Sequence, residues 1–433
     1  MRSILISSWG KPWRTGGEFS WEKVEYRLKE ISKTSRSSLP VLVEHTKPER
    51  IVIVVLDTVA EKVCSDYQKL CKMVEKRYLD FIQKELEISE EVKVIVAPGV
   101  GNFKLKFKGE MMDFYHYVFF ELSRELIGLE KQCEVHLDIT HGLNFAPVLL
   151  HEALEHILGI LAYTKNIKFS IYNAEPFIPG TRKKSSLTIH RIEYGDVYPS
   201  LGPNRVGGKG EARFLAVREE HKKDTEFCKK ISKVAKVSNS KELNAFLSGI
   251  VNGLPLCLYT FCPDPQRLEK KLSSAVKEWR KNVEIRFGEV ERKVSFTPDF
   301  TNCVKLWLAA KSFNIKRKEA VVLEELKEKM RKIFGYERSK EALISHELAK
   351  IKEEAEAKKK ELNKWKLLRT LFSSEQISPS FDRRNFLAHA GLEYNVTELR
   401  YSEKLELRYR KNQRKEIASH LEGLLHKKDG ASG

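Results

Sequence analysis

At 433 residues the chain is too long for one ordinary hydrophobic core, so two or three domains are expected, each burying its own interior. A formal charge of +18 favours a polyanionic partner, nucleic acid before an anionic membrane surface, although a 32% charged content also suits the solvated Lys/Glu surface of a heat-adapted protein. The apolar start, Met1-Arg2-Ser3-Ile4-Leu5-Ile6, is too short for a signal peptide, no run approaches a membrane span, and seven scattered cysteines offer no C-x2-C pair for zinc or disulfides; a cytoplasmic protein with reduced thiols is expected.

From residue 1 to about 194, short β-branched runs alternate with longer amphipathic stretches. Segments 4–7, 51–56, 92–96, 134–139, 167–172 and 187–192 read as strands, and 58–86, 110–127 and 143–163 carry helical periodicity. This alternation predicts an α/β, Rossmann-like domain with a mainly parallel sheet, whose centre is the wholly apolar run Ile51-Val52-Ile53-Val54-Val55-Leu56. A Gly/Pro-rich stretch over 195–210 then predicts a hinge. Beyond it the chain is mixed and mostly helical, with Ser240 expected as an N-cap and 282–298 as a hairpin. From about residue 300 onward a helical region is expected, including a Lys/Glu-dense solvated helix over 336–371.

Ligands of an open α/β sheet bind beyond the carboxyl ends of its strands. Two segments lie there: Ser7-Ser8-Trp9-Gly10-Lys11-Pro12, and Asp138-Ile139-Thr140-His141-Gly142-Leu143-Asn144, which turns from strand into helix and gathers N–H groups where a phosphate rests well. No G-x-G-x-x-G follows the first strand and no P-loop is present, so dehydrogenase and NTPase readings lose support. Spacing alone fits equally well a strand-end carboxylate at Asp138 and a turn-stabilising imidazole at His141.

Late in the chain, Arg384-Asn385-Phe386-Leu387-Ala388-His389 puts a guanidinium, an amide and an imidazole within about two helical turns. Cleaving a phosphodiester by 2′-hydroxyl attack needs a fixed cation at the phosphorane and a group of near-neutral pKa to move the proton. Arg384 and His389 have those properties, but on one helix they stand roughly 140° apart while Asn385 and His389 share a face, so two copies across an interface make the better site. The plain alternative is an Arg paired with Asp382 and a His that packs a helix. Ser378-Pro379-Ser380 is the expected helix start, and the run Arg408-Tyr409-Arg410-Lys411-Asn412-Gln413-Arg414-Lys415 suits a strand of RNA by charge and stacking, or an exposed terminal helix.

The Asp-Ile-Thr-His-Gly-Leu-Asn strand end, the Ser-Trp-Gly loop, Tyr172-Asn173-Ala174-Glu175-Pro176 and the late Arg-Asn-x3-His, in this order, resemble the CARF–HEPN ribonucleases of type III CRISPR systems, in their Csx branch. The resemblance spans nearly the whole chain. It implies a Rossmann-like CARF ligand-sensing domain over 1–198, a linker or winged-helix-like region with a β-hairpin over 199–299, and a mostly α-helical HEPN ribonuclease domain over 300–433. It further implies a homodimer, alone or in an assembly of dimers, activated by a cyclic oligoadenylate such as cyclic tetra-adenylate, that cleaves single-stranded RNA with no metal or cofactor and no membrane. Carried over by motif, Arg384, Asn385 and His389 are catalytic, and Ser8, Trp9, Gly10, Asp138, Thr140, His141, Gly142 and Asn144 form the two ligand loops. Two rivals stand beside this expectation: a ligand-gated DNA-binding regulator, which has no use for Arg384 plus His389, and a sensor that also degrades its cyclic ligand at the 138–144 corner.

Overall fold

The structure, a computed structural model, describes residues 1–14, 18–177, 186–202, 204–208, 210–372 and 380–425. The chain gathers into two units, each built from separated segments. The first comprises Met1–Val197, Phe214–Ala235 and Ser273–Thr301, and the second Tyr198–Arg213, Lys236–Leu272 and Asn302–Gly433.

In the first unit five parallel strands lie in the order Val92–Ala97, Arg50–Leu56, Ser3–Trp9, Gln132–Asp138 and Asn166–Ala174. Their apolar runs are covered on both faces: Ile4, Leu5, Ile6, Ile51, Val52 and Ile53 are wholly buried. The order reverses at Ser3–Trp9, because the chain leaving Val92–Ala97 crosses by the helix Met112–Leu126 to Gln132–Asp138 on the far side. The crevice at such a reversal, beyond Trp9 and Asp138, is where an open sheet takes its ligand. Ser186–Asp196 pairs antiparallel with Asn166–Ala174, and Val24–Leu28 and Ile31–Ser35 extend that edge. Since Ser186–Asp196 runs through Gly195, the expected hinge begins inside a strand; its Pro203 and Lys209 lie outside the described residues. The helix expected over 58–86 starts only at Tyr67, where the Asp66 carboxylate accepts the Lys69 N–H at 2.9 Å.

The expected hairpin forms as Val283–Arg286 and Glu289–Arg292, turning at Phe287 and Gly288 with φ of 49° and 80°. It pairs in parallel with Lys106–Lys108 of the same unit. Arg292 fixes it there. Its guanidinium, wholly buried, pairs with buried Asp57 and donates to the Gly99 carbonyl at 2.8 Å, while Tyr67 Oη and the Gly99 N–H each donate to Asp57 at 2.8 Å. Removing either charge from such a pair typically costs about 3–5 kcal/mol, because the other is left buried and uncompensated.

In the second unit the helix Ser240–Asn252 packs on Arg414–Leu425, and Leu323–Phe334 on Arg338–Ala357. Asn239, left-handed at φ 76°, occupies the N-cap expected of Ser240, which is instead the first helical residue. Past residue 300 the chain is mostly helical as expected, but it also carries a sheet. Val321–Val322, Leu405–Tyr409, Thr397–Tyr401 and Lys366–Leu367 form a four-stranded sheet in that order, and the helix expected over 336–371 stops at Ala357. Alternation explains the sheet: Thr397, Leu399, Leu407 and Tyr409 are wholly buried, whereas Arg400–Glu406 and Arg408–Glu398 pair on its other face at 2.6 and 2.7 Å. No helix among the described residues is long and apolar enough to cross a membrane.

Candidate functional site

The Arg384 motif does fold as a helix, Arg383–Ala388, but only six residues long. Asp382 starts it: the carboxylate accepts the N–H groups of Arg384 at 2.9 Å and Asn385 at 3.0 Å, capping the helix rather than pairing with the Arg384 side chain. The start expected at Ser378-Pro379 lies outside the described residues. Phe386, wholly buried against Tyr409 with ring centroids 5.9 Å apart, pins the helix to the sheet. His389 is its C-cap, donating its N–H to the Asn385 carbonyl at 3.0 Å, and Ala390 and Gly391 then turn left-handed at φ 49° and 79°. Arg384 and Asn385 are left exposed.

His389 is backed by a carboxylate that sequence reasoning missed. Nδ1 stands 3.1 Å from Oε2 of Glu347, and the ring stacks on Tyr394 at 5.3 Å between centroids. Glu347 is buried at 6% exposure; burial alone would raise its pKa, but the His389 imidazole beside it, with Lys350 and His346 behind, holds it below the ordinary carboxylate range. A carboxylate on Nδ1 sets the ring's orientation, keeps a proton on that nitrogen and leaves Nε2 for chemistry. Arg384 faces elsewhere. With Arg383, Leu387, Glu416, Ser419 and His420 it lines a cavity of about 450 Å³. One short helix therefore carries the trio, while its cation and its imidazole meet different neighbours. The basic run 408–415 divides likewise: Tyr409 is wholly buried, donating to the Gly391 carbonyl at 2.8 Å, and Arg408 is held by Glu398, so neither is free to grip a strand.

At the sheet's reversal the expected ligand residues take different roles. Ser8 and Trp9 are buried, Trp9 inside an aromatic cluster with Trp21, Tyr78 and Phe81. Wholly buried Asp138 accepts from Ser38 Oγ at 2.8 Å, the Thr140 N–H at 3.0 Å and Ser7 Oγ at 3.4 Å; burial raises its pKa against the pull of those donors. His141 stacks on Trp21 at 4.0 Å and accepts the Ser38 N–H at 3.4 Å, with its pKa pushed down to about 3 by burial, so the ring stays neutral. Thr140 Oγ1 accepts the Ala174 N–H at 3.0 Å, tying the corner to the Tyr172–Pro176 segment. Asp138, Thr140 and His141 thus build the corner, and Trp21 and Ser38, unremarked in the sequence, close it from the 21–38 segment.

The open part is a cavity of about 230 Å³ lined by Gly10, Lys11, Phe103, Lys104, Leu143 and Asn144, among others. Two glycines let the backbone pack closely around it. A Cβ on Gly142 would fall 2.1 Å from Pro147 Cγ, and one on Gly10 2.8 Å from Leu143 Cδ1. Asn144, exposed with φ 50°, leads into the helix Phe145–Leu161, whose first turn has few N–H groups to offer, since Ala146 donates to the Leu143 carbonyl at 3.1 Å and Pro147 has none. Among the described residues no three His, Cys, Asp or Glu side chains converge as a cation site.

Two family models match the chain. The CARF domain of the CRISPR system endoribonuclease Csx1 matches residues 4–176, and the HEPN domain of the same family matches 337–411, which contains both Glu347 and the Arg384–His389 motif. A protein of Methanocaldococcus jannaschii described as CRISPR system endoribonuclease Csx1 is 32% identical over 444 aligned residues, spanning 95% of this chain and 92% of that protein.

Proposed function

The chain belongs to the Csx1 family of CRISPR system endoribonucleases, with its CARF domain ahead of its HEPN domain, and on that premise we propose that it cleaves single-stranded RNA without a metal ion when a cyclic oligoadenylate occupies the CARF crevice. The observation that carries the reading is the imidazole of His389, set against the buried carboxylate of Glu347 at the end of the same short helix that leaves Arg384 exposed. In the proposed reaction the ribose 2′-hydroxyl attacks the adjacent phosphorus in line; the P–O5′ bond breaks, leaving a 2′,3′-cyclic phosphate and a 5′-hydroxyl. His389 Nε2 moves the proton, and the Glu347 carboxylate stabilises the imidazolium that forms. Arg384 neutralises the non-bridging oxygens, and Asn385 orients substrate or the partner's groups.

Since Arg384 and His389 meet different neighbours within one chain, the working unit is a homodimer whose facing motifs complete the site, in the cytoplasm and with no cofactor beyond the activator. In the CARF crevice, half-exposed Phe103 offers a ring to an adenine, while Lys104 suits its phosphates. The test incubates purified protein with labelled single-stranded RNA, with and without cyclic tetra-adenylate, in EDTA. Cleavage that rises with the cyclic ligand and survives EDTA supports the reading; cleavage restored only by a divalent metal refutes the proposed chemistry, and equal rates with and without ligand refute the sensor.

A further inference from the structure

The cavity at Arg384 does not end there. At Ser419 it meets one of about 310 Å³, which shares Asn239, Glu242, Phe261 and Arg317 with a third of about 520 Å³. The three make one trough in the second unit, along the packed helices Ser240–Asn252 and Arg414–Leu425. Its lining is basic. Arg383, Arg384, Lys415, Lys241, Arg267 and Lys271 all border it, and none has a carboxylate within ion-pair distance among the described residues.

Three acids line the same walls: Glu416 stands in the cavity of Arg383 and Arg384 and leaves the bases in excess, and the other two are otherwise occupied. Glu242 holds Arg317 at 2.7 Å, and Asp264 caps the helix Pro265–Lys281 by accepting the N–H groups of Gln266 and Arg267 at 2.9 and 3.1 Å. Lys271, half-buried with only the Lys236 carbonyl at 3.2 Å, is held below its ordinary pKa by burial and by the charges of Arg267 and Lys236. Uncompensated charge of one sign along a concave path concentrates a polyanion there.

We propose that this trough is the track of the RNA strand leading away from the cleaved linkage, gripping phosphates from Arg384 past Lys415 to Arg267 and Lys271. This rests on the endoribonuclease reading above. Among the described residues the only aromatic ring in the walls of the two cavities beyond Ser419, Phe261, is 2% exposed, so the track grips backbone rather than stacking bases, and binding along it is tolerant of sequence and sensitive to salt.

The test uses the full chain carrying Arg267→Gln with Lys271→Gln, far along the trough from Arg384, and two labelled RNAs: one short enough to fill the catalytic cavity alone, one several times longer. For the longer RNA KM should rise about tenfold with kcat retained, and the slope of log affinity against log salt should flatten by about 1.4, two phosphate contacts at roughly 0.7 each. The longer RNA should lose most of its advantage over the shorter. A matched change outside the trough, Lys327→Gln with Lys332→Gln, should alter none of these. Anisotropy of the longer RNA made uncleavable by 2′-O-methylation carries the same slope test whether or not the chain cleaves. An unchanged slope and unchanged KM in the trough variant overturn the track, whereas a wild type that binds with the expected slope but cuts neither RNA overturns the endoribonuclease reading and leaves the track standing.

Discussion

Glu347→Gln isolates the contribution of the carboxylate behind His389. The amide keeps the side chain's volume and one acceptor in a buried position, so the helix Arg338–Ala357 retains its packing while the charge 3.1 Å from Nδ1 disappears. Coulomb's law at that separation gives about 5 kcal/mol with an effective dielectric of ~20. The His389 side chain is 26% exposed, so water screens much of this, and a charge-assisted contact of this kind nets roughly 2 kcal/mol. Because the imidazolium forms only as the proton moves, the loss falls on the transition state: kcat should drop about thirtyfold with KM unchanged. Steady-state cleavage of labelled RNA at saturating activator reads this, and Glu347→Asp, which keeps the charge on a shorter arm, should recover part of it. A Glu347→Gln enzyme with kcat within about twofold of wild type would refute the orienting role, since a group bearing on the reacting proton cannot be silent in kcat.

His389→Ala or Arg384→Ala should each abolish RNA cleavage while leaving binding of the cyclic ligand in place; cleavage persisting near the wild-type rate in both would remove the motif from the chemistry. Mixing His389→Ala chains with wild type under exchange should depress activity beyond simple dilution, whereas strictly proportional activity would argue for independent sites. Asn144→Asp keeps a residue that tolerates φ near 50° but sets a negative charge at the crevice, so the concentration of cyclic tetra-adenylate for half-activation should rise about tenfold, and an unshifted curve would remove this corner from the sensor. His116, pushed down to about 4 by burial and hydrogen-bonded to Thr301 at 2.7 Å, stays neutral in the fold, while the unfolded chain takes up a proton below about 6.5. Its contribution is therefore lost as pH falls from about 6.5 towards 4, roughly 3 kcal/mol in all, and in His116→Gln the pH dependence of urea midpoints should flatten over that window.

The parallel sheet could be read from the sequence because strands buried on both faces leave unbroken apolar runs such as 51–56, and because one βα corner concentrates Asp138, His141 and Gly142. The late sheet escaped because 397–409 lies in a stretch dense in Arg and Glu, where overall charge masked a clean two-residue alternation. Asp382 was weighed as a partner for Arg384 and proved to be a cap, since a carboxylate reaches two free N–H groups more readily than a mobile guanidinium. Glu347 gave one signal: it interrupts the apolar stripe Ile344, Leu348 and Ile351, and an acid on that face needs a polar partner to answer it. The answering residue lies 42 positions later, beyond the reach of any local pattern. At the 138–144 corner spacing could not separate the residues that build the turn from those left open to solvent.

The buried Arg292–Asp57 pair also sets a timetable. During synthesis Asp57 is made early, but its counter-charge arrives only with the third segment of the same unit, Ser273–Thr301, about 100 residues after Val197. At ribosomal speeds of about 5–20 residues per second the first unit must wait roughly 5–20 seconds with that carboxylate unanswered. A fragment ending near residue 198 would be left in that waiting state permanently. The first unit is thus completed only after part of the second has already been made, yet before the second's last segment, Asn302–Gly433, begins.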